Sequence, residues 1–139
     1  MQVPVNDSLE NNWRTKTVED LEHDYWQETN LPTKLVERCY ELRKMQLNKF
    51  LTEDLRIMIG QQIGLAYLIP LAIETLTDNL FAEGDFYPGD LLQNVLQVEI
   101  KFWEDHKHYW MQIDNLIKDK LKELKKENIS TVTFYTVKL

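Results

Sequence analysis

Hydrophobic residues recur at helical spacing along most of this chain. The segments PTKLVERCYELRKM (32–45) and DLLQNVLQVEIKFW (90–103) each place their apolar residues on one broad face, and the pattern resumes from about Asp105. Only four glycines and four prolines occur, whereas a β-sandwich or barrel needs a turn about every 8–12 residues. The pattern therefore predicts an all-α fold of five to seven helices.

The most apolar part of the chain predicts a buried central helix. Its uninterrupted run, Ile63–Ile73, is roughly half of the ~20 residues that a membrane-spanning helix needs. We expect the preceding helix to stop at Gly60, and the link from Gly60 to Gly64 to lead into the buried helix. Pro70 lies inside this helix and predicts a kink or a restart.

Hydroxyl residues followed by carboxylates indicate two helix starts. Thr17 with Asp20 predicts one N-cap, and Thr52 with Glu53 and Asp54 predicts another. Residues 1–16 lack periodicity, so we predict a flexible N-terminal segment followed by a single helical domain over 17–139.

The C-terminal segment ISTVTFYTV (129–137) is different in character from the rest. Its β-branched and aromatic residues alternate with polar ones. This alternation predicts a strand or an extended, packed tail.

A compact loop, 79–90, follows the central helix. Its glycines, Gly84 and Gly89, are where unusual backbone angles are expected, and Phe86 and Tyr87 offer apolar area that could anchor it. Asp90 is placed to cap the next helix. We interpret the loop as scaffold. The expected structural residues of the chain are Gly60, Gly64, Pro70, Gly84, Phe86, Tyr87, Pro88 and Gly89.

Composition indicates a folded protein in a reducing compartment. Of the 139 residues, 43% are hydrophobic and four are tryptophan, which is typical of a globular domain. A single cysteine, Cys39, cannot form an internal disulfide, and the N-terminus lacks the basic start and apolar core of a secretory signal. These features predict a cytoplasmic location.

The formal net charge of −7 is distributed unevenly. Residues 74–105 contain eight acidic residues and one basic residue, and residues 1–30 contain seven acidic and two basic residues. Such a surface repels phosphate backbones, so nucleic acid is not an expected partner. It would steer a basic protein partner; the alternative is that mild acidity serves solubility alone.

Three groups of residues are candidates for a metal site, an acid–base pair or a nucleophile. Glu104 and His108 lie four residues apart with His106 nearby, but a metal site needs a second ligand set, which the sequence lacks. The carboxylates of 83–90 are better explained as loop-ordering or partner-contacting groups than as an acid–base pair. Cys39 lies on the apolar side of its predicted helix, where an inert thiol is expected. The sequence predicts no enzyme activity, no metal and no cofactor.

Two segments resemble a known family when they are taken together. They are TEDLRIMIGQQIGL (52–65) and EGDFYPGDLL (83–92), with Phe102-Trp103 following. In this order and separation they are similar to contact-dependent growth inhibition (CDI) immunity proteins of the CdiI type. The upstream segments TVEDLEHDYW (17–26) and LVERCYELRK (35–44) fit the same pattern, so the resemblance extends over about Thr17 to Trp103.

The resemblance implies a cytoplasmic protein that forms a heterodimer with the C-terminal toxin domain of a CdiA effector. It implies inhibition by occlusion of the toxin's active site, with no catalytic residues, and no nucleic acid, membrane or small molecule as a partner. Such toxins are often nucleases, with an RNase or tRNase favoured. The alternative is a helical adaptor or scaffold subunit. Where the negative charge is densest, the candidate toxin-binding residues are Glu83, Asp85, Asp90, Glu99, Glu104 and Asp105.

Overall fold

The computed structural model, which describes residues 12–27 and 31–137, consists of helices joined by short loops. The α-helices are α1 (Val18–Glu22), α2 (Lys34–Arg43), α3 (Thr52–Gly60), α4 (Leu65–Asp78), α5 (Asp90–Leu96), α6 (Ile100–Asp105), α7 (Lys107–Ile117), α8 (Leu121–Lys126) and α9 (Val132–Tyr135). Two short 3-10 helices occupy Trp13–Thr15 and Leu47–Lys49. Residues 12–27 and 31–137 contain no β-strand, and the predicted all-α class is confirmed.

The described part of the chain has nine α-helices, more than the five to seven predicted. The apolar pattern of 90–103, for example, is divided into α5 and α6 by a turn at 97–99. Val98 lies in that turn and is as fully buried as its helical neighbours. Hydrophobic periodicity therefore continues across a break in the backbone and cannot reveal it.

Helix α4 lies at the centre of the hydrophobic core. It packs against α3, α5 and α7. Gly64, in the left-handed conformation, is its N-cap residue, and the preceding helix α3 ends at Gly60 as expected. Pro70 is buried inside α4, which continues through it as one helix, so the alternative of a restart there is wrong. Its buried residues are Leu65, Leu68, Ile69, Pro70, Leu71, Ala72, Ile73 and Leu76.

The two predicted helix starts have different outcomes. The Thr17 hydroxyl accepts a hydrogen bond from the Asp20 N–H at 3.2 Å, which confirms the cap of α1. At α3 the N-cap residue is Leu51, and Thr52 is the first helical residue. Here the Asp54 carboxylate accepts the Leu51 N–H at 2.9 Å and also binds Arg38. The prediction that Thr52 caps α3 is wrong, because a side chain inside the first turn does the work.

The packed chain begins before residue 17. Trp13 is only 5% exposed and belongs to the core cluster, and Arg14 forms an ion pair with Glu74 of α4. The described part of the predicted flexible segment is therefore held against the domain. The rest of that segment, residues 1–11, lies outside the described residues.

Part of the C-terminal segment forms a short helix, so the predicted strand or extended conformation is wrong, whereas its packing against the domain is as predicted. Residues Val132–Tyr135 make up α9, and Phe134 is fully buried. The Trp110 indole N–H donates to the Phe134 carbonyl at 3.0 Å, and the two rings stack with centroids 4.9 Å apart. These contacts with α7 override the local β preference of the sequence.

Among residues 12–27 and 31–137, no helix is both long enough and apolar enough to cross a lipid bilayer.

We predict that Leu68→Asp or Ile69→Asp unfolds the protein. Both side chains are fully buried in α4, and an unpaired buried carboxylate costs several kcal/mol against a total stability of about 5–15 kcal/mol. Circular dichroism and thermal melting provide the measurement, with Met111→Asp at an exposed position of α7 as the control that stays folded. A cooperative melt of both core variants near the wild-type temperature would contradict the assignment of α4 to the core.

Candidate binding surface around the 83–90 loop

Two carboxylates hold the loop between α4 and α5. Asp90, which is 2% exposed, accepts the N–H groups of Gly84 at 2.7 Å, Phe86 at 3.0 Å and Tyr87 at 3.4 Å. Glu53 of α3 accepts the N–H of Asp85 at 2.8 Å. Four consecutive amides, 84–87, are thus satisfied by two side chains, which fixes the backbone of the loop against α3 and α5.

Arg56 balances the charge of these carboxylates. Its Nε and Nη2 atoms each donate to Glu53 at 2.6 Å, and Nε lies 3.8 Å from the Asp90 carboxylate. The hydrogen bonds from Arg56 lower the pKa of Glu53, and the Asp85 amide adds to this effect, while partial burial opposes it. Glu53 is therefore held in its charged, hydrogen-bond-accepting form.

Two aromatic residues of the loop, Phe86 and Tyr87, point outward. Phe86 is 68% exposed and Tyr87 is 44% exposed. The Arg56 guanidinium carbon lies 4.4 Å from the centroid of the Phe86 ring. The expectation that these rings anchor the loop by burial is therefore wrong, because the carboxylate network anchors it and leaves the rings on the surface.

The two glycines of the loop are required for different reasons. Gly89 has a φ of +93°, and a Cβ there would lie 2.6 Å from the Ile129 Cδ1 atom. Gly84 does not have a positive φ, but a Cβ at this position would collide with the Glu53 carboxylate that binds the next amide. Pro88 pairs with Glu83 in an isolated antiparallel bridge that closes the loop.

The structure separates the six candidate acidic residues. Asp90 is buried and occupied by the loop, so it is not available to a partner. Glu83 and Asp85 are exposed on the loop. The other three, which are also exposed, belong to α6: Glu99 is its N-cap residue, and Glu104 and Asp105 lie at its end. Asp105 pairs with Lys101 at 3.1 Å.

Cys39, His106 and His108, the other candidates for chemistry, are held by packing and ring contacts. Cys39 is buried, which raises the pKa of its thiol. The His106 ring stacks on Phe102 with centroids 4.2 Å apart, and its Nδ1 atom lies 2.9 Å from the Phe102 carbonyl. Burial, followed by the nearby His106, lowers the pKa of His108. Across the described ranges, no three His, Cys, Asp or Glu side chains converge in a way that could hold a metal ion.

Sequence reasoning did not connect Glu53 and Arg56 to this loop. The sequence indicates Glu53 only as part of a helix start, and no pattern distinguishes Arg56. About thirty positions separate them from the amides and the ring that they contact, and no local pattern reports a contact over that distance.

The described part of the chain is thus a helical domain with an exposed loop that carries two carboxylates and two aromatic rings. The family model of CDI immunity proteins matches residues 20–113, which is more than half of the chain. The chain therefore belongs to the family of CDI immunity proteins, and the resemblance given by its sequence motifs is confirmed. No curated protein and no solved structure matches it.

Membership assigns the chain an immunity function against a CdiA toxin, and hence binding to that toxin. Proteins of this family are generally not enzymes. The matched range begins within α1 and ends within α7, so α8 and α9 lie outside it.

We predict that Gly89→Val lowers the free energy of unfolding by at least about 1 kcal/mol. A β-branched residue at φ +93° is strained, and its side chain would also overlap Ile129. Chemical denaturation measures the loss. Gly60→Ala is the control with a smaller expected loss, because Gly60 is helical and lacks a positive φ, so only its 2.7 Å contact with the Asn94 side chain has to relax. An unchanged unfolding midpoint for Gly89→Val would show that the loop does not depend on this backbone conformation.

Proposed function

We propose that this protein acts in the cytoplasm as the inhibitor of one CdiA C-terminal toxin domain and that it covers the toxin's active site in a heterodimer. In this proposal inhibition is purely steric and electrostatic, and the chain contributes no catalytic group and no cofactor. Family membership supports the partner. The distribution of exposed carboxylates over residues 74–105 supports the mode of inhibition.

The same charge favours a nuclease as the toxin, with an RNase or tRNase as the preferred class. Within 74–105, eight acidic residues accompany a single basic one. A nuclease must present a positive cleft to its phosphate-rich substrate. Carboxylates placed over that cleft would complement its charge and accelerate association. The residues proposed for this contact are Glu83, Asp85, Glu99, Glu104 and Asp105.

The charge also bears on which partners are left out of the proposal. A surface that complements a phosphate-binding cleft repels phosphate itself, so nucleic acid and anionic membranes are not proposed as partners. The proposal likewise includes no small-molecule substrate. Asp90 is omitted from the contact because its carboxylate is occupied by three loop amides.

We predict that the chain co-purifies with the toxin domain of the CdiA protein encoded beside it and abolishes the toxin's cleavage of RNA. The measurement is digestion of tRNA, total RNA and duplex DNA by the isolated toxin domain, with and without an equimolar amount of this protein. Inhibition that requires complex formation at a one-to-one ratio supports occlusion. A toxin that remains fully active in a stable complex would refute occlusion, and a toxin without nuclease activity would refute the proposed toxin class.

We predict that replacing Glu99, Glu104 and Asp105 together by their amides slows association and flattens its dependence on salt, while the fold stays intact. All three side chains are exposed. The association rate is measured between about 50 and 500 mM salt, a range that spans weak to strong screening.

The matched control neutralises Glu37, Glu41 and Asp119, which are exposed elsewhere on the molecule and change the net charge by the same amount. If the triple variant of α6 and this control behave alike, the rate depends only on net charge. An unchanged rate and slope in the α6 variant would remove α6 from the interface, and residues 1–30 and the C-terminal segment would be the next regions to test.

A further inference from the structure

The most exposed aromatic side chain in the part of the chain that the structure describes is Phe86. Folding does not bury this ring, so its apolar surface can still be buried against a partner. Tyr87, which is 44% exposed, lies beside it in the sequence. Both rings lie on the loop that also carries the exposed carboxylates of Glu83 and Asp85.

The backbone that presents Phe86 is fixed before any partner arrives. The amide of Phe86 and those of its two preceding residues and of Tyr87 are hydrogen-bonded to Asp90 or Glu53. The loop is closed at its far end by the Gly89 N–H, which donates to the Phe81 carbonyl at 3.1 Å. A side chain presented in this way loses little further conformational freedom on binding, which is the usual property of an affinity-determining anchor.

Arg56 restrains the ring itself. Its guanidinium is held by the two hydrogen bonds to Glu53, and it lies 4.4 Å from the Phe86 centroid. A cation in this position is attracted to the face of an aromatic ring. One face of Phe86 is therefore supported from below, and the remainder of the ring faces solvent.

We propose that Phe86 is the central anchor of the toxin interface and that it inserts into an apolar pocket rimmed by basic residues on the toxin domain. The apolar ring determines the pocket, and the exposed carboxylates of Glu83 and Asp85 on the same loop determine the charge of its rim. This inference rests on the proposed function. It adds the residue that carries most of the affinity, whereas the acidic residues of α6 govern the rate of association.

A second copy of this chain is a less suitable occupant. Its loop would bring the same two exposed carboxylates, Glu83 and Asp85, against their own kind. Like charges brought together at an interface oppose association. The oligomeric state of the free protein, measured by analytical ultracentrifugation, tests this alternative.

The test compares Phe86→Ala with Met111→Ala, a control whose side chain is 56% exposed on α7. Binding to the adjacent CdiA toxin domain is measured by surface plasmon resonance, and folding is measured by thermal melting. We expect both variants to melt like the wild type. We expect Phe86→Ala to raise the Kd by at least about tenfold, mainly through faster dissociation, and Met111→Ala to leave the Kd unchanged.

Preorganisation is tested with Glu53→Gln, which keeps the size of the side chain and removes the charge that holds Arg56 and the Asp85 amide. This variant should weaken toxin binding in the wild-type background. If Glu53 acts by positioning Phe86, it should have little further effect in the Phe86→Ala background, so the two effects are not additive. Full additivity would overturn the positioning role of Glu53.

The outcomes separate this inference from the proposed function. If the wild-type chain does not bind the toxin domain, the proposed function fails, and this inference fails with it. If the wild type binds and Phe86→Ala binds equally well, the inference alone is overturned and the function stands. A free wild-type dimer that Phe86→Ala dissociates, with no change in toxin affinity, would identify a second copy as the occupant and would also overturn it.

Discussion

The exposed 83–90 loop depends on one buried carboxylate, that of Asp90, and on the hydrogen bonds that it accepts. One side chain at the first position of α5 holds three amides of the preceding loop. A buried carboxylate would be costly alone, but these amides and the nearby Arg56 compensate its charge. Helix α5 in turn packs on α3, which supplies Glu53 and Arg56. The polar cluster and the helix packing therefore support each other.

This arrangement separates stability from recognition. The core around α4 is apolar and continuous, and the polar cluster fixes the loop without using its aromatic rings. A protein whose function is to bind another protein benefits from this separation, because surface side chains can change to match a partner while the scaffold stays intact. Helices α8 and α9 lie outside the matched family range, and α9 is held to α7 through Trp110 and Phe134. The last helix, outside the matched range, is therefore packed on the matched part of the chain.

Some features of the candidate surface follow from composition, whereas others do not. The concentration of carboxylates over 74–105 is visible in the sequence, and so is the conformational requirement at Gly89. The roles of individual carboxylates are not visible. The N-cap residue of α5 is Gly89, so the expectation that Asp90 caps this helix is wrong; its carboxylate binds the preceding loop instead. Asp85 and Asp90 lie five positions apart in one loop, yet one is exposed and the other is buried with its oxygens occupied. Both residues are aspartates of the same loop, so residue type does not distinguish them. They differ in which backbone amides the folded chain brings to each carboxylate.

The sequence alone determined the class of the fold, the central buried helix, the end of α3 at Gly60 and the family to which the chain belongs. These features depend on local periodicity, on backbone restrictions and on motifs that are contiguous in the chain. Tertiary structure decided where the long apolar segments break, why the C-terminal segment is helical, and that Phe86 faces solvent above Arg56. Each of these depends on contacts between residues that are distant in the sequence, and a local pattern contains no information about which of them meet.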